Sequence, residues 1–164
     1  MNKRAGQRRT APHLRYRAGR MPSSSVPYRV TMTESAKRTY LELRKRSRAA
    51  EAKGESTNQH CTTFRMVDDA IRHLIPIDPI NKSHALHKPF SDFFRIAKGR
   101  LRIVWAADSS HREILIVFIS NMPRKEGSVT DPYVILHALL RKGHLDSAVK
   151  DWRIALEIPT RKMN

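Results

Sequence analysis

The run Ile114–Ile119 is apolar at every position and lies between Glu113 and Ser120. Successive side chains of a strand point to opposite faces of a sheet, so a strand of this composition has to be covered on both faces. The run therefore predicts an inner strand of a sheet with packing layers on both sides. It is also the longest apolar run of the chain. Because a membrane-spanning helix needs about 20 apolar residues, no membrane segment is expected.

Other segments with the composition of strands lie earlier in the chain. Gly99 and the pair Ser109-Ser110 supply turns between the last three, which therefore form an antiparallel meander. Another short strand is indicated near the start of the chain, where polar and apolar residues alternate. The predicted strands are Tyr28–Met32, Phe93–Ala97, Leu101–Ala106 and Glu113–Ile119.

Four segments have the residue spacing of amphipathic helices. Thr33 is a good N-cap for the first, and Asp131-Pro132 marks the start of the third. We expect an α+β fold: a small antiparallel β-sheet with two N-terminal helices packed on one face, and C-terminal helices. The predicted helices cover about Glu34–Ala52, the stretch from a connection at 58–62 to about Leu74, the stretch from Asp131 to Gly143, and about Leu145–Glu157.

Basic residues are concentrated at the N-terminus. The net charge is +17, and residues 1–20 hold seven of the 32 Lys and Arg residues and no acid. This segment cannot bury enough apolar surface to offset its loss of conformational entropy, so we expect it to be disordered. It is open to three interpretations: a nucleic-acid-binding arm, an Arg-rich targeting peptide, or residues upstream of a natural start at Met21. We predict a basic tail and Ser/Pro linker over 1–26, a main domain over 27–143 and a helical extension over 144–164.

Charge and cysteine content limit the classes of function. A net charge of +10 remains outside residues 1–20, and it favours an anionic partner such as nucleic acid. The single cysteine, Cys61, excludes an intramolecular disulfide and a Cys-based zinc site. The carboxylates are scattered apart from Asp68-Asp69, so nothing resembles a two-metal nuclease site. We expect a cytoplasmic protein with no metal and no other cofactor.

The hairpin around Gly99 is the most informative place for function. If its turn has two residues, one face of the hairpin is apolar and the other carries cations with no acid on either strand. Like charges that face each other across a ladder are unfavourable, unless an anion binds there. The apolar face consists of Phe94, Ile96, Leu101, Ile103 and Trp105, and the basic face of Arg95, Ala97, Arg100, Arg102 and Val104.

Further groups suited to phosphate binding follow the inner strand. Its end leads into a loop with Arg124 and Lys125, and Tyr133 lies in the first turn of the next helix. Guanidinium groups grip phosphate bidentately, and an aromatic ring can stack on a base. A single arginine of this kind is most often part of a solvated basic surface, but the whole set favours a phosphate site.

The order of a strand, two helices and a three-stranded meander resembles the RelE/ParE superfamily of bacterial toxins from type II toxin–antitoxin systems. The resemblance covers about residues 28–141. It is carried by Phe93-Phe94-Arg95-Ile96, by Gly99-Arg100-Leu101-Arg102-Ile103-Val104-Trp105, and by Ile116-Val117-Phe118-Ile119-Ser120 followed by Arg124-Lys125-Glu126.

The resemblance implies roles for five side chains. Arg95 and Lys98 match basic strand residues that the ribonuclease members use, and Arg102 matches the arginine of the following strand. Arg124 matches the arginine of the basic loop. Tyr133 resembles the late tyrosine of the family, once a few residues are inserted before it.

The general base stays open, because Ala97 stands where the family often has Lys. Lys98 and Lys125 are candidates, and Tyr133 is a candidate for either the base or a stacking platform. His87 and His137 are alternatives for proton transfer that rank below Tyr133. We also predict that these two histidines bind RNA or phosphate.

The activity that the resemblance implies is metal-independent cleavage of messenger RNA, often on the ribosome, by attack of a ribose 2′-hydroxyl on the adjacent phosphate. The expected partner is a cognate antitoxin with an acidic, partly disordered segment, bound in a toxin–antitoxin hetero-oligomer. One alternative is a ParE-like, non-catalytic inhibitor of DNA gyrase. Another is a basic module that binds RNA without cutting it.

Overall fold

A four-stranded mixed sheet with helices on both faces forms the protein. The computed structural model describes residues 27–122, 128 and 131–157. In chain order the elements are β1 (Arg29–Met32), α1 (Glu34–Glu51), α2 (Gln59–Asp69) with a π-helical turn (Ala70–Leu74), a 3₁₀ turn (Lys82–His84), β2 (Phe94–Lys98), β3 (Leu101–Asp108), β4 (Glu113–Ser120), α3 (Pro132–Arg141) and α4 (His144–Glu157).

The strands lie in the order β1-β4-β3-β2, and β3 pairs antiparallel with both β2 and β4. The predicted α+β class and the meander are confirmed. One detail differs, because β1 pairs parallel to β4, with Arg29 opposite Glu113. Alternation along residues 28–32 identifies a strand, but it carries no information about the direction of a partner that lies far along the chain.

The inner position predicted for Ile114–Ile119 is also confirmed, because β4 lies between β1 and β3. Ile114 and Ile116 belong to the core that faces α1 and α2, whereas Leu115 and Val117 belong to the core on the other face. The register shifts between Val104 and Trp105. Phe118, next to Val117, therefore also packs on the second face.

Helices α1 and α2 cover the first face. The side chain of Thr33 caps α1 by accepting from the Ala36 N–H at 3.3 Å. Helix α2 begins earlier than predicted, inside the expected connection, because the Asn58 side chain caps it by accepting from the His60 N–H at 2.9 Å.

A polar contact ties α1 to α2. The Tyr40 hydroxyl donates to Asp68 Oδ1 at 2.6 Å, and Arg72 Nε donates to the same oxygen at 2.7 Å. Burial acts to raise the pKa of Asp68, but these two hydrogen bonds outweigh it and hold that pKa below its usual value. Burial and the bond to Asp68 raise the pKa of Tyr40.

Helices α3 and α4 cover the second face, where Leu136, Leu145 and Val149 pack with Val104 and Leu115. Helix α4, predicted as an extension, thus shares a core with α3. Residues 1–26 and 158–164 lie outside the described residues. No helix within the described residues is long and apolar enough to cross a membrane.

Candidate active site at the β2–β3 hairpin

A two-residue turn, Gly99-Arg100, joins β2 to β3, with Lys98 paired to Leu101. Gly99 has a φ of +57°, a conformation that glycine adopts without strain. The register places Arg95 opposite Val104 and Ala97 opposite Arg102. Arg95 and Arg102 therefore share a face as diagonal neighbours, as the hairpin pattern predicts.

Tyr133 reaches this face from the start of α3. Asp131, which is only 3% exposed, caps the helix by accepting from the Tyr133 N–H at 2.9 Å, and Pro132 occupies the first helical position. Arg95 Nη1 donates a hydrogen bond to the Tyr133 hydroxyl. The Arg95 guanidinium carbon lies 5.4 Å from the ring centre, within the range of a cation–π contact.

The Arg102 side chain folds back over the turn. Its Nη1 donates to the carbonyl oxygens of Gly99 at 2.6 Å and Leu101 at 2.7 Å. Arg102 Nε is buried and has no hydrogen-bond partner among the described residues. A buried donor without an acceptor is costly, but the atom is shielded from solvent, so an external anion can reach it only after the side chain moves.

The three side chains meet in one crevice. Arg95, Arg102 and Tyr133 line it together with an apolar floor. In this conformation the crevice is too tight to admit a water molecule, so a phosphate can enter only after side chains move. Its two guanidinium groups and its phenol suit a phosphate that carries increasing negative charge during a reaction. Its floor consists of Val104, Phe118, Pro132 and Leu136.

Lys98 and Arg100 occupy other positions of the hairpin. Lys98 shares the strand parity of Ile96, so it lies at the end of β2 on the face opposite to Arg95. Arg100 is exposed in the turn itself. The structure brings neither residue into the crevice.

The two histidine candidates are both exposed and lie outside the crevice. The His87 carbonyl accepts from the Phe90 N–H at 2.8 Å in the turn before β2. The His137 ring packs edge-on against Phe90, with 4.5 Å between ring centres. The remaining two candidates, Arg124 and Lys125, lie outside the described residues.

Phe118 is a crevice residue that the sequence does not reveal. Strict alternation from Ile114 would turn it toward α1, but the register shift turns it to the crevice instead. Nothing in the run Ile114–Ile119 signals this shift, because every residue in it is apolar.

No carboxylate among the described residues lines the crevice. Within the part of the chain that the structure describes, no three His, Cys, Asp or Glu side chains gather closely enough to hold a metal ion. The groups that face the crevice are guanidinium and phenol, and neither is a ligand that Mg²⁺ favours.

Two solved structures resemble parts of the chain. The RelBE2 toxin–antitoxin complex of Mycobacterium tuberculosis contains a chain with 19% identity and a TM-score of 0.43, which covers 58% of this chain and 92% of its own length. The isolated RelE toxin of E. coli has 14% identity and a TM-score of 0.44, with coverage of 70% and 97%. No curated protein shows significant sequence similarity.

A family model matches residues 29–155, from the start of β1 to the last turns of α4. The model describes toxins with endonuclease activity that belong to toxin–antitoxin systems. This match confirms the prediction of a toxin from a toxin–antitoxin system. It includes every described element that forms the crevice, so the chain belongs to the YhaV family of toxins, endonucleases of toxin–antitoxin systems.

Proposed function

We propose that this endonuclease cuts messenger RNA by attack of a ribose 2′-hydroxyl on the adjacent phosphate, without a metal ion. The observation that carries the proposal is the convergence of Arg95, Arg102 and Tyr133 on one crevice. This reaction needs a base, an acid for the leaving 5′-oxygen, and cations for the crowded phosphorane. The first two tasks concern proton transfer and the third concerns charge.

Arg102 and Arg95 supply the positive charge. Arg102 Nε is a buried donor whose hydrogen-bonding capacity is unused among the described residues, and a non-bridging phosphate oxygen would satisfy it once the side chain leaves the turn carbonyls and faces the RNA. Arg95 is held beside the Tyr133 hydroxyl. Its remaining N–H groups are suited to a second oxygen of the same phosphate.

Tyr133 is the best-placed group for proton transfer or base stacking. Its hydroxyl lies at the guanidinium of Arg95, and its ring lines the crevice. A phenolic oxygen can accept a proton from a 2′-hydroxyl or donate one to a 5′-oxygen. The ring can instead serve as a platform for a base.

The other residues that the sequence suggests have secondary roles in the proposed reaction. Arg124 and Lys125 would add cations from the loop between β4 and α3, and Arg100 and His137 would contact RNA at the rim. His87 is a further rim candidate. Lys98 would have to reach around the end of β2 to act as the base, so we place it after Tyr133.

The partners follow from the family and the charge. We propose that the antitoxin neutralises the toxin with an acidic, partly disordered segment, because the chain outside residues 1–20 carries a net +10. The proposed cellular substrate is mRNA on the ribosome, with the toxin bound to an RNA-rich surface that attracts a basic protein. The toxin and its antitoxin would form a hetero-oligomer.

The experiment combines cleavage with mapping of RNA ends. Expression of wild type and of Arg102→Ala in a bacterium, followed by sequencing of RNA 5′ ends and by gel analysis of plasmid topology, separates the alternatives. Internal mRNA cuts that disappear in Arg102→Ala support the proposal. Supercoiling changes without mRNA cuts would instead indicate gyrase inhibition, and RNA binding without cuts would indicate a non-cleaving module.

A further inference from the structure

A groove of about 490 Å³ adjoins the crevice, and Phe118 lines both. Its walls come from the middle of α1, the start of α2, the end of β4 with the two residues after it, and one residue of α3. The lining residues that matter here are Arg38, Leu43, Phe118, Ser120, Asn121 and Ile135.

The groove exists because β1 is shorter than β4. Pairing between them ends at Met32 and Ile116, whereas β4 continues to Ser120. Thr33 then turns the chain into α1, with its N–H bonded to the Ile116 carbonyl at 2.9 Å and its hydroxyl to the Val117 carbonyl at 3.3 Å. The last part of β4 therefore faces a gap beside α1.

The lining of the groove has three chemical parts. Leu43, Phe118 and Ile135 form an apolar surface, and the Phe118 ring is partly exposed. Ser120 and Asn121 add hydroxyl and amide groups at one wall. Ser120 is 7% exposed and accepts from the Met122 N–H at 3.3 Å, and Asn121 Nδ2 donates to Thr63 Oγ1 at 3.5 Å. The charged residues lie on the opposite wall: Arg38 is exposed and forms no ion pair with any described residue, whereas Glu42 and Arg46 pair with each other at 2.9 Å.

A nucleotide has the three matching parts. A base stacks on an aromatic or apolar surface, its edge forms hydrogen bonds with amide and hydroxyl groups, and its phosphate binds arginine. An acidic peptide would match the arginine and the apolar surface as well. The shared wall at Phe118 favours RNA, because a strand whose phosphate lies at Arg102 can continue across this ring into the groove.

We infer that the groove binds a nucleotide that flanks the scissile phosphate, with its base against Phe118 and its phosphate near Arg38. This inference rests on the proposed function, because the crevice has to hold the scissile phosphate for the strand to enter the groove beside it. It gives the toxin a subsite for RNA outside the crevice, and Asn121 would contribute to its base preference.

The test uses charge changes on opposite walls of the groove and a matched control. Arg38→Glu changes the α1 wall, and Asn121→Asp places a carboxylate on the β4 wall. Arg44→Glu is the control, because Arg44 is an exposed arginine of the same helix that does not line the groove. Arg102→Ala reports on the crevice. The probe is a short fluorescent single-stranded RNA with 2′-O-methyl groups, which blocks cleavage, and the readout is Kd from fluorescence anisotropy.

We expect both groove variants to raise Kd by about tenfold, as for loss of a base–aromatic or phosphate contact. Arg44→Glu should change it by less than about threefold, the size of a weak long-range charge effect. A probe with one abasic position should bind wild type more weakly than the intact probe does. The two probes should bind Arg38→Glu equally, because this variant no longer holds the nucleotide in the groove. An equal effect of Arg38→Glu and Arg44→Glu would overturn the inference.

Other outcomes separate this inference from the proposed function. If Arg102→Ala weakens RNA binding and the groove variants do not, the groove inference fails and the crevice assignment stands. If none of the variants weakens binding, the groove inference fails, and the proposed function is then decided by whether Arg102→Ala abolishes cleavage. Loss of affinity for the antitoxin in Arg38→Glu, with RNA affinity unchanged, would assign the groove to a peptide and overturn the inference.

Discussion

The Arg95 guanidinium donates a hydrogen bond to the Tyr133 hydroxyl, and this contact joins the edge strand β2 to the first turn of α3. Two elements that lie far apart in the chain thereby place a cation and a phenol side by side. The sheet fixes one partner and the helix cap at Asp131 fixes the other. Such support from both elements keeps site groups at defined positions.

The first prediction separates the possible roles of Tyr133. If the hydroxyl transfers a proton, Tyr133→Phe should lower the single-turnover cleavage rate by about 10²–10⁴-fold. If the ring stacks on a base, Phe should retain activity and Ala should lose about 1–3 kcal/mol of binding per base. Melting temperatures of all three proteins control for folding. Cleavage close to wild type in both variants would remove Tyr133 from the site and make His137, one turn further on, the next candidate.

The second prediction compares neighbours on β3 with opposite orientations. Arg102→Ala should lower cleavage by about 10²–10³-fold, as for removal of a charge-stabilising donor, with little loss of stability. Leu101 is 2% exposed in the core, so Leu101→Ala should cost about 2–5 kcal/mol of unfolding free energy. Urea unfolding and a cleavage assay measure the two effects. Unfolding of Arg102→Ala together with a stable Leu101→Ala would show that the assignment of faces is wrong.

The third prediction concerns the two basic residues of β2. Arg95 faces the crevice, whereas Lys98 lies on the opposite face. We expect Arg95→Ala to lower cleavage by about 10²-fold or more and Lys98→Ala to change it by less than about threefold. Rates for both variants at saturating RNA provide the comparison. A loss in Lys98→Ala as large as that expected for a general base would return Lys98 to the catalytic group.

Much of this arrangement is visible in the sequence. The two-residue turn at Gly99 and strict alternation place Arg95 and Arg102 on one face, and the Asp131-Pro132 pair places Tyr133 in a first helical turn. The parallel pairing of β1 and the turn of Phe118 toward the crevice are not visible. Both depend on contacts between distant segments, and the uniformly apolar run Ile114–Ile119 is compatible with either register.

The fourth prediction concerns stability in acid. The hydrogen bonds from Tyr40 and Arg72 lower the pKa of Asp68 in the folded state. Its contribution to stability is therefore present above the unfolded pKa of about 3.9 and is lost as the pH falls through the lower, folded value. Asp68→Asn should cost about 1–2 kcal/mol at neutral pH. The melting temperature of Asp68→Asn should also fall less than that of wild type between neutral and strongly acidic pH. Melting temperatures of wild type and variant that fall by the same amount over this pH range would contradict this assignment.

The chemistry of the cut ends tests the central proposal most directly. Cleavage through the ribose 2′-hydroxyl leaves a 2′,3′-cyclic phosphate on one fragment and a 5′-hydroxyl on the other, whether the RNA is free or on a ribosome. The measurement is mass spectrometry of the fragments that wild type produces and Arg102→Ala does not. We expect the cyclic phosphate and the 5′-hydroxyl. If the toxin also cuts RNA in the absence of ribosomes, excess chelator should leave that cleavage unchanged. Fragments with a 3′-hydroxyl and a 5′-phosphate would contradict the proposed mechanism.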